Sequence, residues 1–150
     1  MGERGGVRRG TPPPDVYGRI RLLRGEPPVI LSVFVRRLKE GATFEDFLRE
    51  WEADVGFGIP TRVFNAQSLS DPRDIFTVGF VDVDAEAFAE WAKAPHESEQ
   101  VRHDRIDTVI ESTTLKAQFD LRTEHDFTNE PTLIELGSAQ SLVHLLAGGA

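Results

Sequence analysis

In four segments of the chain apolar and polar residues alternate, as they do in a β-strand with one face against a core. Two of them, Thr61–Leu69 and Ile75–Val83, are separated by a short proline-containing turn and are predicted to form a hairpin. A third, Val29–Leu38, begins with apolar residues on both faces, which is typical of a central strand covered on both sides. The fourth, Thr114–Arg122, alternates most regularly, and we expect its apolar set to face the core: Leu115, Ala117, Phe119 and Leu121.

Other segments repeat apolar residues with the period of an α-helix. The first predicted helix is Thr43–Val55, with Thr43 as its N-cap and an apolar stripe of Phe44, Phe47, Leu48, Trp51 and Val55. The second is Ala85–Lys93, which Asp84 is placed to cap, with a buried side of Ala85, Phe88, Trp91 and Ala92. Pro95 interrupts this helix, and a strongly polar helix is predicted to resume over His96–Ile106.

The predicted order of elements is β-α-β-β-α-β, the order of the ferredoxin-like α+β fold with a four-stranded antiparallel sheet. The helices of this fold cover one face of the sheet, yet apolar side chains populate both faces of the predicted strands. A second copy of the sheet would cover the other face, so we expect a homodimer in which two sheets form a dimeric α+β barrel. The alternative cover is the N-terminal arm or a short helix predicted over Ser138–Leu146.

Composition divides the chain into three parts. Residues 1–28 carry six Gly, five Pro and six Arg, with a net charge of +3, and are predicted to form a flexible arm. Residues 29–122 form the predicted domain, and residues 123–150 form a C-terminal extension. Everything after residue 28 carries a net charge of −11, and this acidic body argues against a nucleic-acid partner.

The predicted compartment is the cytoplasm. No apolar run approaches the roughly 20 residues of a membrane span, so no membrane association is expected. No apolar segment follows the N-terminal Arg residues, as it would in a secretory signal. The chain has no cysteine, which excludes disulfides, thiolate metal sites and a cysteine nucleophile.

A more specific signal lies between Ser68 and Ser98. It begins with the turn Ser-Leu-Ser-Asp-Pro and continues through the aromatic and aliphatic strand Ile75–Val83. The next helix starts Asp-Ala-Glu-Ala-Phe, with Trp91 shortly after it and then a Pro-His step. In these features the run resembles the antibiotic biosynthesis monooxygenase (ABM) domain of the dimeric α+β barrel superfamily. The resemblance extends over residues 29–122.

This resemblance implies a homodimer with a cavity between the sheet and the helices of each subunit. It also implies a small-molecule enzyme, an oxidoreductase of the monooxygenase class that acts on an aromatic or polyketide-like compound without a cofactor. The first alternative is a non-catalytic dimeric module that binds a ligand or a protein, because no set of acid, base and metal ligands stands out in the sequence. The second is a haem-binding or haem-degrading protein.

Trp91 matches a tryptophan that borders the ligand in some members of that family, although a helical aromatic stripe also explains it as part of a core. Haem-degrading relatives use a histidine of the following helix as the iron ligand. Counted from Trp91, that position falls nearer Val101 than His103, which argues against haem. A divalent metal is not expected either, because nothing enforces site geometry on His96, Glu99, His103 and Asp104.

Cofactor-free oxygenation needs a substrate that readily becomes a carbanion, a polar group or base that binds it, and a dry pocket. The candidate catalytic residues are Trp91, His103 and Asn65. The candidate substrate-binding residues are Ser32, Phe34, Gln67, Phe88 and His96. No Ser-His-Asp order, phosphate-binding loop, dinucleotide fingerprint or zinc signature suggests another reaction.

Overall fold

The structure is a computed structural model and describes residues 29–143. The N-terminal arm and the end of the predicted Ser138–Leu146 helix lie outside the described residues. The order of the main elements confirms the predicted β-α-β-β-α-β pattern, with the second helix in two parts. The elements are β1 (Ile30–Leu38), α1 (Phe44–Trp51), β2 (Thr61–Gln67), β3 (Asp74–Val81), α2 (Ala85–Lys93), α3 (Glu97–Asp107), β4 (Ile110–Asp120), β5 (Glu124–Asp126) and β6 (Thr132–Ile134).

The four long strands form one antiparallel sheet in the order β2-β3-β1-β4, so β1 lies in the interior as predicted. The predicted α+β, ferredoxin-like fold is therefore confirmed. The short strands β5 and β6 pair separately in the C-terminal extension. None of the helices within residues 29–143 is long and apolar enough to cross a membrane.

The helix ends follow from local chemistry. Thr43 and Asp46 form a reciprocal capping box at the start of α1, and Asp84 accepts a hydrogen bond from the Ala87 amide at the start of α2. Helix α1 ends at Trp51, four residues earlier than predicted, and Val55 is exposed. The last carbonyls are instead bonded from α3, because Arg102 donates to Trp51 O at 3.0 Å and Arg105 donates to Glu52 O at 2.8 Å.

The core on the helix side fills one end of the sheet. Its buried members are Leu38, Phe47, Ile75, Ile106 and Ile110. Helix α2 contributes no buried residue, and the prediction that Ala85 and Ala92 lie on a buried side was wrong, since both are exposed. Because no side chain of α2 is buried in the core, space remains for a cavity between α2 and the other end of the sheet.

Leu115, Ala117 and Phe119 of β4 point away from the helices, contrary to the prediction that they face the core. The register explains this, because Phe34 pairs with Lys116 and Ser32 pairs with Gln118 on the helix side. Phe119 is 48% exposed on the opposite face of the sheet, where Leu115, Phe64 and Phe76 are also exposed. In the monomer this face is an open apolar surface; we call these four residues the open sheet face.

The C-terminal extension covers one corner of that side of the sheet. Leu136 and Val143 join Val29 in a buried cluster, against which Phe80 and Leu121 pack. Within the described part of the predicted Ser138–Leu146 helix, helical geometry is confined to Leu142 and Val143. This alternative cover therefore reaches Phe80 but leaves the open sheet face exposed.

Candidate active site

A cavity of about 460 Å³ lies between the helix-facing side of the sheet and helices α2 and α3. Two rows of the antiparallel register form its floor. In one row Ser32 pairs with Gly79 on one side and Gln118 on the other. In the next row Phe34 pairs with Thr77 and Lys116. The floor thus brings polar groups and one aromatic ring from three strands to the same surface.

Gly79 accounts for much of the free space above this floor. The sequence predicts that a mid-strand glycine marks a bulge or a close approach by another group. The pairing of β3 with β1 and β2 runs through Gly79 without a register shift, so it marks no bulge. A Cβ atom built there would meet Val63 and Ser32 at 3.7–3.9 Å, which is ordinary contact with neighbouring strands. The missing side chain therefore opens the cavity.

An aromatic wall closes the side formed by α2. The indole of Trp91 donates a hydrogen bond to Phe57 O at 2.7 Å, and its ring stacks on His96 at 4.2 Å between centroids. Phe88 and Phe57 each lie 5.8 Å from the Trp91 ring. Because the indole N–H is engaged by the backbone, Trp91 offers the cavity its ring and not a hydrogen-bond donor. Phe57 also lines a second cavity, beneath the loop before β2.

The two histidines of the site are held differently. His96 follows Pro95 and has Nε2 2.7 Å from Trp91 O, so this nitrogen donates to the carbonyl and fixes the ring against Trp91. His103 lies 5.8 Å from the Phe34 ring and 3.7 Å from a Glu99 oxygen. Burial, with further contributions from Arg102 and Arg36, holds the pKa of His103 below its usual value of 6.5. His103 is therefore a neutral imidazole at pH 7.

Sequence reasoning missed Arg36 as a site residue. It is only 3% exposed, lines the cavity, and its Nη1 is buried with no hydrogen-bond partner among residues 29–143. Its guanidinium carbon lies 4.1 Å from the centre of the Phe34 ring. Burial and the nearby Arg102 lower the pKa of Arg36 to about 10, so it stays charged at neutral pH. The alternation of β1, which places Arg36 on the face of Ser32 and Phe34, was the available signal.

Arg102 is a second buried arginine that sequence reasoning did not single out. It donates two hydrogen bonds to the carboxylate of Glu99, at 2.7 and 3.0 Å, and a third to Trp51 O. Its guanidinium carbon also lies 5.1 Å from the Trp51 ring centre. Both groups of the pair border the cavity, but their charges offset each other. A polar helix such as α3 gives little sign in sequence of which arginine turns inward.

Six of the eight predicted site residues line the cavity: Ser32, Phe34, Phe88, Trp91, His96 and His103. The other two lie farther along β2. Asn65 Oδ1 accepts a hydrogen bond from Thr77 Oγ1 at 2.7 Å, and Gln67 donates from Nε2 to Pro72 O at 2.8 Å. Asn65 therefore supports the cavity floor through Thr77, whereas Gln67 secures the turn before β3. The chemical roles of all eight stay predictions.

The structure does not bring a metal-ligand set together. Within residues 29–143, no group of three or more His, Asp or Glu side chains is placed to hold a metal ion. His96 faces Trp91, and Glu99 is engaged by Arg102. The four residues considered above for a divalent metal therefore do not converge on one point.

Comparison with known proteins gives one similarity. No protein-family profile matches the chain, and no curated protein matches it. A crystal structure of a protein provisionally assigned as an antibiotic biosynthesis monooxygenase, from Chloroflexus aurantiacus J-10-fl, is similar with a TM-score of 0.47 and 17% identity. The similarity covers 65% of this chain and 97% of that one. No statement about activity follows from a likeness at this level.

Proposed function

We propose that the protein binds a flat aromatic compound in the cavity above Gly79 and oxidises it with O2 as a cofactor-independent monooxygenase. The observation that carries this proposal is the cavity itself. Its volume of about 460 Å³ is in the range of small-molecule sites, and aromatic side chains line it. A few polar groups converge on it from the sheet and from α3, among them Ser32, Gln118 and His103. A module that binds only another protein would need no such cavity.

His103 supplies the base that this reaction requires. As a neutral imidazole it takes a proton from an activated CH2 group of the substrate and leaves a carbanion. The carbanion reduces O2 by one electron, and recombination of the two radicals forms a carbon–peroxide bond. The imidazolium returns its proton to the peroxide, and loss of water gives a ketone. One CH2 group and one O2 thus become one C=O group and one water.

The aromatic wall supplies binding and excludes water. The Trp91 ring, fixed by Phe57 O and by His96, is a rigid platform for stacking of a planar substrate. A dry pocket prolongs the life of a carbanion, because water would return a proton to it before O2 reacts. Trp91 is in this scheme a binding residue, and His103 is the catalytic one.

Oxygen uptake with 1,8-dihydroxyanthrone and 1-naphthol tests the proposal. We expect the wild-type protein to consume O2 above the uncatalysed rate. His103→Gln should lower kcat by about a hundredfold, the scale of a lost general base. His125→Gln is the matched control, since His125 is exposed on β5 and should leave the rate unchanged. Binding of these compounds without O2 uptake would contradict the oxygenase and favour the non-catalytic module.

The proposal includes a homodimer. The open sheet face places Phe64, Phe76, Leu115 and Phe119 on one surface, each about two-fifths to half exposed. Soluble monomers rarely leave so large a contiguous apolar surface bare, and a second copy of the sheet would cover it. The cavity lies on the opposite side of the sheet, so each subunit holds a complete site of its own.

A further inference from the structure

Arg36 differs from the other arginines that the structure places near it. Arg37 forms ion pairs with Asp71 and Asp74, and Arg102 pairs with Glu99. Arg36 forms no ion pair with any described residue, although it is 3% exposed and its Nη1 has no hydrogen-bond partner. A buried, unpaired guanidinium is costly, and natural proteins pair such a charge or place it where a ligand pairs it.

The surroundings of Arg36 favour a ligand as that partner. β4 carries one extra residue, Thr114, opposite the step from Val35 to Arg36, and such bulges re-aim side chains beside functional sites. Arg36 lines the cavity and lies over the Phe34 ring at 4.1 Å, a contact that offsets only part of the desolvation of the charge. The guanidinium of Arg36 therefore lies at the cavity with an unpaired charge and an unmet hydrogen-bond donor.

A second cation marks the same place. Lys116 pairs with Phe34 across the β1–β4 ladder, and its Nζ lies 5.7 Å from the Phe34 ring centre. The only carboxylate among the described residues that line the cavity, that of Glu99, is bonded to Arg102. Asp107 at the end of α3 raises the pKa of Arg36 through its charge but forms no hydrogen bond or ion pair with it. The cavity is thus positive at its Phe34 end although the chain as a whole carries a net charge of −8.

From this arrangement we propose that the ligand of the cavity is an aromatic anion, whose carboxylate or enolate oxygen is bound by Arg36 and Lys116 while its ring stacks in the aromatic wall. The inference rests on the proposed function, because it takes the cavity to be the substrate site. The guanidinium of Arg36 donates to the anionic oxygen, and Lys116 adds a point charge beside it. The wall residues Trp91 and Phe88 then select a flat ring.

Calorimetric titration with 2-naphthoate and with its uncharged isostere 2-naphthamide tests the inference on the full chain. We expect naphthoate to bind about 10- to 100-fold more tightly, the scale of a buried charge-assisted hydrogen bond. Arg36→Met should remove this difference, Arg36→Lys should restore part of it, and naphthamide should bind both variants as it binds the wild type. Arg49→Met, on the exposed face of α1, is the matched control and should change neither affinity.

The outcomes separate the two proposals. Equal affinity for the two probes in the wild-type protein, or a preference for naphthoate that survives Arg36→Met, overturns the anion site. Either result leaves the proposal that the cavity binds an aromatic compound unaffected. Binding of neither probe overturns both proposals. A naphthoate preference that disappears in Arg36→Met and persists in Arg49→Met supports the inference.

A second measurement needs no variant. Proton NMR of His103 during naphthoate binding should show its pKa rise, because the anion offsets Arg36 and Lys116, which face it from β1 and β4. Arg102 and Glu99 face it from its own helix and pair with each other whether or not the ligand is present. Naphthamide should leave the pKa unchanged, and a rise with naphthamide alone would contradict the inference.

Absorbance spectra of 2-naphthol test whether the site also binds an enolate-like oxygen. Binding at Arg36 would convert 2-naphthol to its phenolate, which the absorbance shows.

Discussion

Glu99 and Arg102 form a two-hydrogen-bond ion pair on one face of α3, with side chains only 17% and 7% exposed. The pair does more than join two turns of one helix, because Arg102 also donates to the Trp51 carbonyl where α1 ends. It therefore ties α1 to α3 beside the cavity. Because its carboxylate is engaged by Arg102, Glu99 is neither a free base nor a free metal ligand.

Arg102→Met should lower the free energy of unfolding by about 3 kcal/mol, because the Glu99 carboxylate would stay in the interior without its partner. The double variant Glu99→Leu with Arg102→Met should regain most of this loss, since no unpaired charge remains. Urea denaturation of the wild type and the two variants measures both effects. Equal losses in the single and double variants would mean that the pair is not the cause.

The stability of the protein should depend on His103 in mildly acidic solution. Its pKa in the folded state lies below the usual value of 6.5, so the unfolded chain takes up this proton first as the pH falls. The stabilising contribution of neutral His103 is complete above pH 6.5 and is lost as the pH falls from 6.5 through the folded-state pKa. We expect the free energy of unfolding to fall more steeply from pH 7 to 5 in the wild type than in His103→Gln. Parallel profiles would contradict the lowered pKa.

Two acidic groups affect the stability of the protein at lower pH. The pKa values of Asp46 and Asp71 lie below their usual value, chiefly because backbone amides of Thr43 and Arg73 donate to them. Their contribution to stability is therefore present above pH 3.8 and lost below it. Their titration does not overlap the range in which His103 is tested.

The fold was predictable because short segments of the sequence carry the signals that define each helix and strand. Thr43 and Asp84 mark the two helix starts, Pro95 separates α2 from α3, and alternation fixes the strands. The direction in which β4 faces was not predictable in the same way. Its apolar residues were expected to face the core, but the register with β1 puts Lys116 and Gln118 on the helix side. Alternation defines two faces of a strand and does not say which of them the helices cover.

The candidate site was predictable in part for the same reason. The strand positions Ser32 and Phe34 and the helix positions Phe88, Trp91 and His103 were identified, and all five line the cavity. Arg36 was not recognised as a site residue, because sequence alone gives no sign that a charged residue is buried and unpaired. Gln67 lies outside the residues that line the cavity, and its partner is a turn carbonyl that only the hairpin geometry brings close.

The homodimer can be tested at the open sheet face. Phe76→Asp should convert a dimer to a monomer, because Phe76 is 43% exposed and would bring an unpaired charge into the interface. Phe80 is a poorer site for this test, since it packs on the cluster formed by Val29, Leu136 and Val143. Sedimentation equilibrium at micromolar concentration gives the mass. Val101→Asp, on the exposed side of α3, is the control and should leave the dimer intact.

A wild-type mass equal to that of one 16.7 kDa chain would contradict the dimer directly. It would not affect the proposed ligand site, because the cavity and the open sheet face lie on opposite sides of the sheet. A dimer that survives Phe76→Asp would place the interface elsewhere on the molecule.

Haem provides a separate check on the cofactor-free proposal. Titration with hemin should give no sharp Soret band of a histidine-ligated complex, because His103 lies against Phe34 and is surrounded by Arg36, Arg102 and Lys116. A stoichiometric band that His103→Ala abolishes would contradict this expectation and favour a haem protein.

The most direct test of the cavity as the ligand site is calorimetric titration of Gly79→Val with 2-naphthoate. The new side chain meets only ordinary contacts from Val63 and Ser32 at its Cβ and extends into the space above the floor. We expect the variant to unfold at the same urea concentration as the wild type and to bind the probe at least about tenfold more weakly. Ala89→Val, on the exposed side of α2, should bind it normally. Undiminished binding by a folded Gly79→Val protein would contradict the site proposed here.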